Sequence, residues 1–349
     1  MKKLLCVICS LMICFAVNAQ KLPRVKILAT GGTIAGKGAS ADRAAYKAGS
    51  LPIKDLIDAV PGIDKVAEIS GEQISNVGSQ DMTVDIWIKL NKRINEIFKN
   101  NEADGIVITH GTDTQEETAY FLSLTCRYDL PVVLTGSMRP ATAISADGPK
   151  NLYDAVTVAA SPNSKGRGVM VVFSENIFDG RGVEKISTTH VDAFKSPNAG
   201  PLGQVYDGKV VFYMHDLRKA NKNTPFDITG LDKLPNVAVA ELYADAPSTA
   251  IDAYVASGVD GIVVSGLGNG NLNKANVDAV TRAVAKGVTV CRSSRVVSGR
   301  VTLYDETDDA KLGTFVADDL SSQKARILLM LGLTQTKDKK ILQDYFFTY

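Results

Sequence analysis

The groups in this chain best suited to covalent chemistry are hydroxyls that follow short apolar runs. Thr33 comes just after Val25 to Thr30 (VKILAT), and Thr112-Asp113-Thr114 just after Gly105 to His110 (GIVITH). Such runs read as buried parallel strands, and open parallel sheets bind ligands at the carboxyl ends of their strands. A threonine oxygen attacks a carbonyl poorly unless a base takes its proton, so a lysine or carboxylate must stand beside it. Asp113 adjoins Thr112 in sequence, and Lys185 becomes a base if it is desolvated. Spacing alone leaves a plainer reading open. Thr33, Thr112 and Thr114 also suit turns and helix caps, Asp113 an N-cap, and Lys185 and Glu306 a solvated surface. Ser79, Gln80, Asn271 and Tyr46 likewise pass as loop, turn and rim residues.

Other chemistries lack their residues. Gly31-Gly32-Thr33-Ile34-Ala35-Gly36 follows a strand but has neither the G-x-G-x-x-G spacing of a dinucleotide site nor the G-K-[ST] of a phosphate loop. Gly266 to Asn271 also fails that spacing, with Asn271 where a third glycine belongs, and reads as a backbone-crowded turn. His110, His190 and His215 have no metal-ligand spacing, and no G-x-S-x-G elbow occurs. The expectation is chemistry without metal or cofactor.

The elements that would position these groups alternate along the chain. Pro131 to Thr135 and Gly168 to Phe173 repeat the buried-strand pattern, and Trp87, Leu90, Ile94, Ile97 and Phe98 mark one face of a helix between strands. Thr114 to Glu117 reads as a capping box that opens another helix. Proline and glycine accumulate between Ser196 and Pro235, where Val205 to Phe212 forms a hairpin around Asp207-Gly208. Alternation resumes with strands at Asn236 to Tyr243, Asp260 to Ser265 and Val288 to Cys291, and helices near Asn273 to Ala285 and Ser321 to Leu333. The pattern predicts an α/β protein: a larger N-terminal domain with a mainly parallel, doubly wound sheet (22–213), a connector (214–235) and a smaller C-terminal α/β domain (236–349).

Composition agrees with two globular domains. The chain has 349 residues, 45% hydrophobic, and 39 Lys+Arg face 38 Asp+Glu, without the basic surplus that nucleic-acid binding needs. Residues 1–19 read as a secretory signal: Lys2 and Lys3, an apolar stretch from Leu4 to Phe15 too short to span a bilayer, and Val17-Asn18-Ala19 before the cut. The expectation is an exported protein, periplasmic or secreted, with no membrane segment once cleaved. Cys6, Cys9 and Cys14 leave with the signal, and Cys126 and Cys291, both in apolar stretches, are expected to be free thiols.

Ala29 to Gly36 (ATGGTIAG) and Ile108 to Thr114 (ITHGTDT) closely resemble the two signature segments of bacterial L-asparaginases. The resemblance continues through Gly71-Glu-Gln73, Gly78 to Asp81, Met138 to Pro140, Ser145 to Pro149, Asp179 to Arg181, Gly266 to Asn271, Arg292 to Arg295 and Gln323 to Arg326. It runs from about Leu22 to Tyr349 and, with the export signal, is similar to the secreted type II branch.

The resemblance implies hydrolysis of L-asparagine to L-aspartate and ammonia, with L-glutamine as a secondary substrate. It implies Thr33 as the nucleophile that forms a β-aspartyl ester, and Tyr46 as the residue that bonds Thr33 and helps close the site. Thr112 would stand near the scissile amide with Lys185 as its proton partner, and Asp113 would hold the substrate's ammonium. Ser79 and Gln80 would clamp its polar ends. Asn271 and Glu306 would reach the site from a neighbouring subunit of a homotetramer. Asn271, where more glutaminase-like relatives have serine, favours asparagine. A zwitterionic substrate needs both carboxylates and polar donors, which Asp113, Glu306, Ser79 and Gln80 supply, and backbone N–H groups near Gly32 and Thr112 are candidate oxyanion donors. The sequence departs from some relatives in lacking a disulfide pair and in having Ser137 before Met138. The alternative is an exported amino-acid-binding protein, which needs the clamp but no activated threonine.

Overall fold

The structure, a computed structural model, describes residues 21–38, 46, 47, 49, 52–215 and 218–349, with the backbone alone at 46 and 47. The proposed signal, 1–19, lies outside the described residues. In chain order the strands are β1 (Arg24–Gly31), β2 (Lys37–Gly38), β3 (Tyr46–Lys47), β4 (Glu68–Val77), β5 (Gly105–Thr109), β6 (Val132–Thr135), β7 (Val169–Phe173) and β8 (Asn176–Asp179). They continue with β9 (Glu184–Lys185), β10 (Phe194–Lys195), β11 (Gly203–Tyr206), β12 (Lys209–Phe212), β13 (Val237–Glu241), β14 (Gly261–Gly266), β15 (Thr289–Ser294) and β16 (Phe315–Val316).

Eight strands form the large sheet in the order β12-β11-β8-β7-β6-β5-β1-β4. The five from β4 to β7 are parallel, and β8, β11 and β12 add an antiparallel edge. The small sheet, β13-β14-β15-β16, is wholly parallel. The larger N-terminal sheet and smaller C-terminal one therefore match the α/β expectation.

Parallel strands buried on both faces need apolar residues at nearly every position, which is why β5, β6 and β7 read as unbroken runs. Ile106 and Ile108 face one side, with the helices Val84–Lys99 and Gln115–Thr125. Val107 faces the other, with the helix Gly148–Ala160. The Val84–Lys99 helix is amphipathic as read, its buried side carrying Trp87, Leu90, Ile94, Ile97 and Phe98, and Thr83 Oγ1 caps it by accepting from Ile86 N. Gln115–Thr125 has no such stripe. It lies between the large sheet and the helix Ser322–Gly332, which itself packs on the small sheet, so nearly all its residues are buried.

The hairpin after β11 turns at Asp207 (φ 50°) and Gly208 (φ 69°), the left-handed pair that two-residue hairpin turns require. β4 was not legible as a strand: EISGEQISNV is an edge strand, mostly part-exposed, and has no apolar run. Cys126 and Cys291 are free and buried, as expected, and burial pushes the Cys126 thiol up to about 12.

Phe121 is fully buried and stacks on Trp87 with ring centroids 5.1 Å apart. Phe121→Ala is expected to lower unfolding free energy by about 3–5 kcal/mol, measured by denaturant titration.

Candidate active site

β1 and β5 are parallel neighbours, so their carboxyl ends open on one rim, and β4, on the other side of β1, ends there too. Thr30 Oγ1 donates to Thr109 O across that rim (2.9 Å). Beyond β1 the chain turns at Gly32 (φ 83°), and Thr33, buried, starts the short helical turn Thr33–Ala35. A Cβ on Gly32 would collide with the backbone of Gly111, so only glycine allows the turns before Thr33 and Thr112 to touch. The Gly32 N–H itself donates to Val77 O (3.1 Å), which leaves other N–H groups near Gly32 and Thr112 as the candidate oxyanion donors.

Ser79 follows β4 in the turn Ser79–Asp81 and holds the loop after β5. Its Oγ accepts from Asp113 N (3.0 Å), and its carbonyl accepts from Thr114 Oγ1 (2.8 Å). The second bond corrects the capping-box reading. Thr114 does stand at the N-cap of Gln115–Thr125, but its side chain makes no cap bond and donates instead to Ser79 O. Gln80 is exposed, and its Nε2 donates to Asp81 Oδ2 (3.4 Å).

Lys185 comes from β9, far along the chain, and its Nζ lies 2.9 Å from Thr112 Oγ1 and 2.7 Å from Asp113 Oδ1. Thr112 is buried, whereas the Asp113 side chain is 58% exposed, which leaves its outer oxygen open to a cationic ligand. The sequence could not show this meeting of Lys185 with Thr112. Tyr46 lies in β3, paired with Gly38 of β2, and its side chain is outside the described residues. Asn271 and Glu306 meet each other, Asn271 Nδ2 donating to Glu306 Oε2. Among the described residues that pair makes no hydrogen bond to Ser79, Thr112, Asp113 or Lys185.

Four residues that sequence reasoning left unassigned hold Lys185 in place. Its backbone N–H donates to Glu116 Oε2, and Gln323 Nε2 donates to Glu116 Oε1 (2.8 Å). Lys324, with no exposed surface, donates to Arg181 O (2.8 Å), Val183 O and Glu184 Oε1 (3.0 Å). Burial raises the Glu184 carboxyl above the usual range against the pull of Lys324, with the Glu116 carboxylate adding to the rise. Gln323 and Lys324 belong to the helix Ser322–Gly332, so both domains fix the position of one lysine. The available signal was the segment Gln323 to Arg326 itself, whose charges open an otherwise apolar helix.

His110 buttresses the loop from beneath. Its Nδ1 is 2.7 Å from Gly111 O, which can only accept, so Nδ1 carries the proton. Nε2 then accepts from Thr118 Oγ1 (2.9 Å), which accepts from Trp87 Nε1 (2.7 Å). Full burial pushes the imidazole down to about 4, although the Gly111 carbonyl opposes the shift, and the ring stays neutral.

Two cavities of about 460 and 410 Å³ include Arg181 and Arg218 in their walls but neither Thr33, Thr112 nor Lys185. Chemistry rather than cavity size locates the reacting groups.

Known proteins resemble the chain along most of its length. Residues 24–218 match the family described as asparaginase, N-terminal, and residues 236–346 the glutaminase/asparaginase C-terminal domain. The chain is 51% identical over 329 residues to the probable periplasmic L-asparaginase of Haemophilus influenzae, covering 94% of each chain. It is 49% identical over 335 residues to L-asparaginase 2 of Escherichia coli, covering 96% of each. The crystal structure of a probable cytoplasmic L-asparaginase from Campylobacter jejuni superposes with a TM-score of 0.90 at 49% identity, covering 94% of this chain and all of that one.

A neutral buried imidazole makes stability depend on pH. The unfolded chain binds His110's proton near pH 6.5 and the folded chain only near 4, so its contribution is complete above about 6.5 and is lost as pH falls towards 4. Between pH 7 and 4 the wild type is expected to lose about 3 kcal/mol relative to His110→Gln, read from paired denaturant titrations.

Proposed function

The chain belongs to the asparaginase family, and from that premise we propose that it hydrolyses L-asparagine to L-aspartate and ammonia through an ester on Thr33. The observation that carries this reading is Lys185 Nζ between Thr112 Oγ1 and Asp113 Oδ1, on the rim where β1 delivers Thr33. The relatives described above are named as L-asparaginases, which leaves the binding-protein alternative without support.

In this reading Thr33 Oγ attacks the side-chain carbonyl carbon, its proton leaves, and the amide nitrogen departs protonated as ammonia. Water then cleaves the β-aspartyl ester, releasing aspartate and restoring the hydroxyl. As an ammonium, Lys185 donates to both Thr112 and Asp113 and stabilises negative charge that develops beside them. Only as a neutral amine can it take the Thr112 proton, so proton delivery and removal alternate with its charge. The exposed Asp113 oxygen holds the substrate's ammonium, and Ser79 and Gln80 hold its α-carboxylate and amino ends. Tyr46 bonds Thr33 as the site closes.

Asn271 and Glu306, which bond each other, complete the site of a neighbouring subunit in a homotetramer. L-Glutamine is a secondary substrate, because one methylene is worth only about 1–3 kcal/mol of discrimination. The domains divide at 22–213 and 236–349 across a 214–235 connector, and residues 1–19 direct export, in keeping with the periplasmic relative.

Ammonia release is measured from L-asparagine and L-glutamine at equal concentrations with the wild type, Thr33→Ala and Thr112→Ala. The expected result is asparagine turnover that falls by about 10³-fold or more in each variant. Binding without ammonia release by the wild type would sink the hydrolase reading.

A further inference from the structure

Arg292 is the largest of the fully buried side chains, with 1% of its surface exposed, and lies in β15 of the small sheet. A guanidinium has five N–H donors, and here each has an acceptor. Nε donates to Asp309 Oδ1 (2.6 Å) and Nη2 to Asp309 Oδ2 (2.7 Å), a two-pronged ion pair. Nη2 also donates to Thr302 O (3.1 Å), and Nη1 to Asn269 O (3.2 Å) and Gly270 O (3.0 Å).

These acceptors lie on two segments that are remote in sequence. Asn269 and Gly270 immediately precede Asn271, while Thr302 and Asp309 bracket Glu306. The Asn269 side chain adds a second bridge, donating to Thr302 Oγ1 (2.7 Å) and accepting from Thr302 N (2.9 Å). Asp309 extends the hold on its own loop by accepting from Tyr304 N (3.2 Å) and Thr314 Oγ1 (2.6 Å). Gly270, at φ 70°, lets its carbonyl meet the guanidinium, since a Cβ there would stand 2.8 Å from Val301 and 3.1 Å from Nη1. Beyond this buried knot, the half-buried Asn271 and the exposed Glu306 meet at the tips of the two segments.

Removing charges from water is costly, and an apolar side chain of similar size would pack a β-strand more cheaply. What a hydrocarbon cannot do is fix three carbonyls and a carboxylate in one plane. We infer that Arg292 is a positioning residue for Asn271 and Glu306, and that it acts in trans: its loss damages the neighbouring subunit's site rather than its own. This rests on the proposed donation of Asn271 and Glu306 to a neighbour.

The test uses full-length chains and asparagine kinetics. Arg292→Lys keeps the charge but has three donors on one nitrogen, and cannot reproduce the fork. It is expected to raise KM for asparagine by about tenfold or more with a smaller change in kcat, because misplacing groups that clamp substrate weakens its binding. Asn269→Ala removes only the outer bridge and is expected to move KM the same way by a smaller factor, which covers the case of Arg292→Lys failing to fold. Mixed oligomers of differently tagged Arg292→Lys and Thr33→Ala/Thr112→Ala chains are then purified through both tags. There the inactive chain supplies intact Asn271 and Glu306 to threonines on the Arg292→Lys chain, and a return to wild-type KM is expected. The same mixture made with an Asn271→Ala/Glu306→Ala chain is the control. Unchanged KM in both Arg292→Lys and Asn269→Ala overturns the proposal. Recovery in the control alone overturns action in trans while leaving the shared site standing. If the control also fails to recover, the shared site itself fails and the proposal falls with it.

Discussion

The site depends on two parallel strands that end side by side with no space between the turns that follow them. Gly32 and Gly111 touch because neither has a Cβ, and that contact, with the Thr30 to Thr109 bond, sets where Thr33 and Thr112 stand. A hydroxyl misplaced by an ångström is no longer an efficient nucleophile, so the rim must be stiff. Its stiffness comes from below, through the chain of bonds from Trp87 through Thr118 and His110 to the Gly111 carbonyl. Each member of that chain is buried, so no water competes for the bonds.

Lys185 is held in a different way. It sits on a strand of only two residues, which has little stiffness of its own, and its position is imposed by side chains from elsewhere. Glu116 takes its backbone N–H, and Gln323 and Lys324 secure Glu116 and Glu184 from the helix Ser322–Gly332. The functional role of the second domain thus begins within its own chain.

How much of this was legible follows from whether the physics is local. The apolar runs that became β1, β5, β6, β7, β14 and β15 could be read because parallel strands buried on both faces leave little choice of residue. The Asp207-Gly208 hairpin could be read because left-handed turns restrict residue type. The polar edge strand Glu68–Val77 could not, since nothing but pairing to β1 makes it a strand. The Thr114 cap was misread for a similar reason: Ser79, 35 positions away, takes the hydroxyl that local pattern assigned to the helix. Thr33, Thr112 and Asp113 could be listed as candidates from strand ends alone, and the family resemblance then ranked them. The Lys185 contact and its four supporting residues needed three dimensions, because a buried charge declares its partner only once the chain is folded.

The Ser322–Gly332 helix has a consequence for the integrity of the molecule. It lies against both the small sheet and the Gln115–Thr125 helix, and its Lys324 is neutralised by a carboxylate and two carbonyls of the other domain. Pulling the two domains apart would strand that ammonium without partners and uncover a continuous apolar surface. The halves therefore behave as a single cooperative unit whose coherence does not depend on the covalent thread between them. A protein nicked in the connector would stay assembled, and neither half would persist alone as a folded remnant.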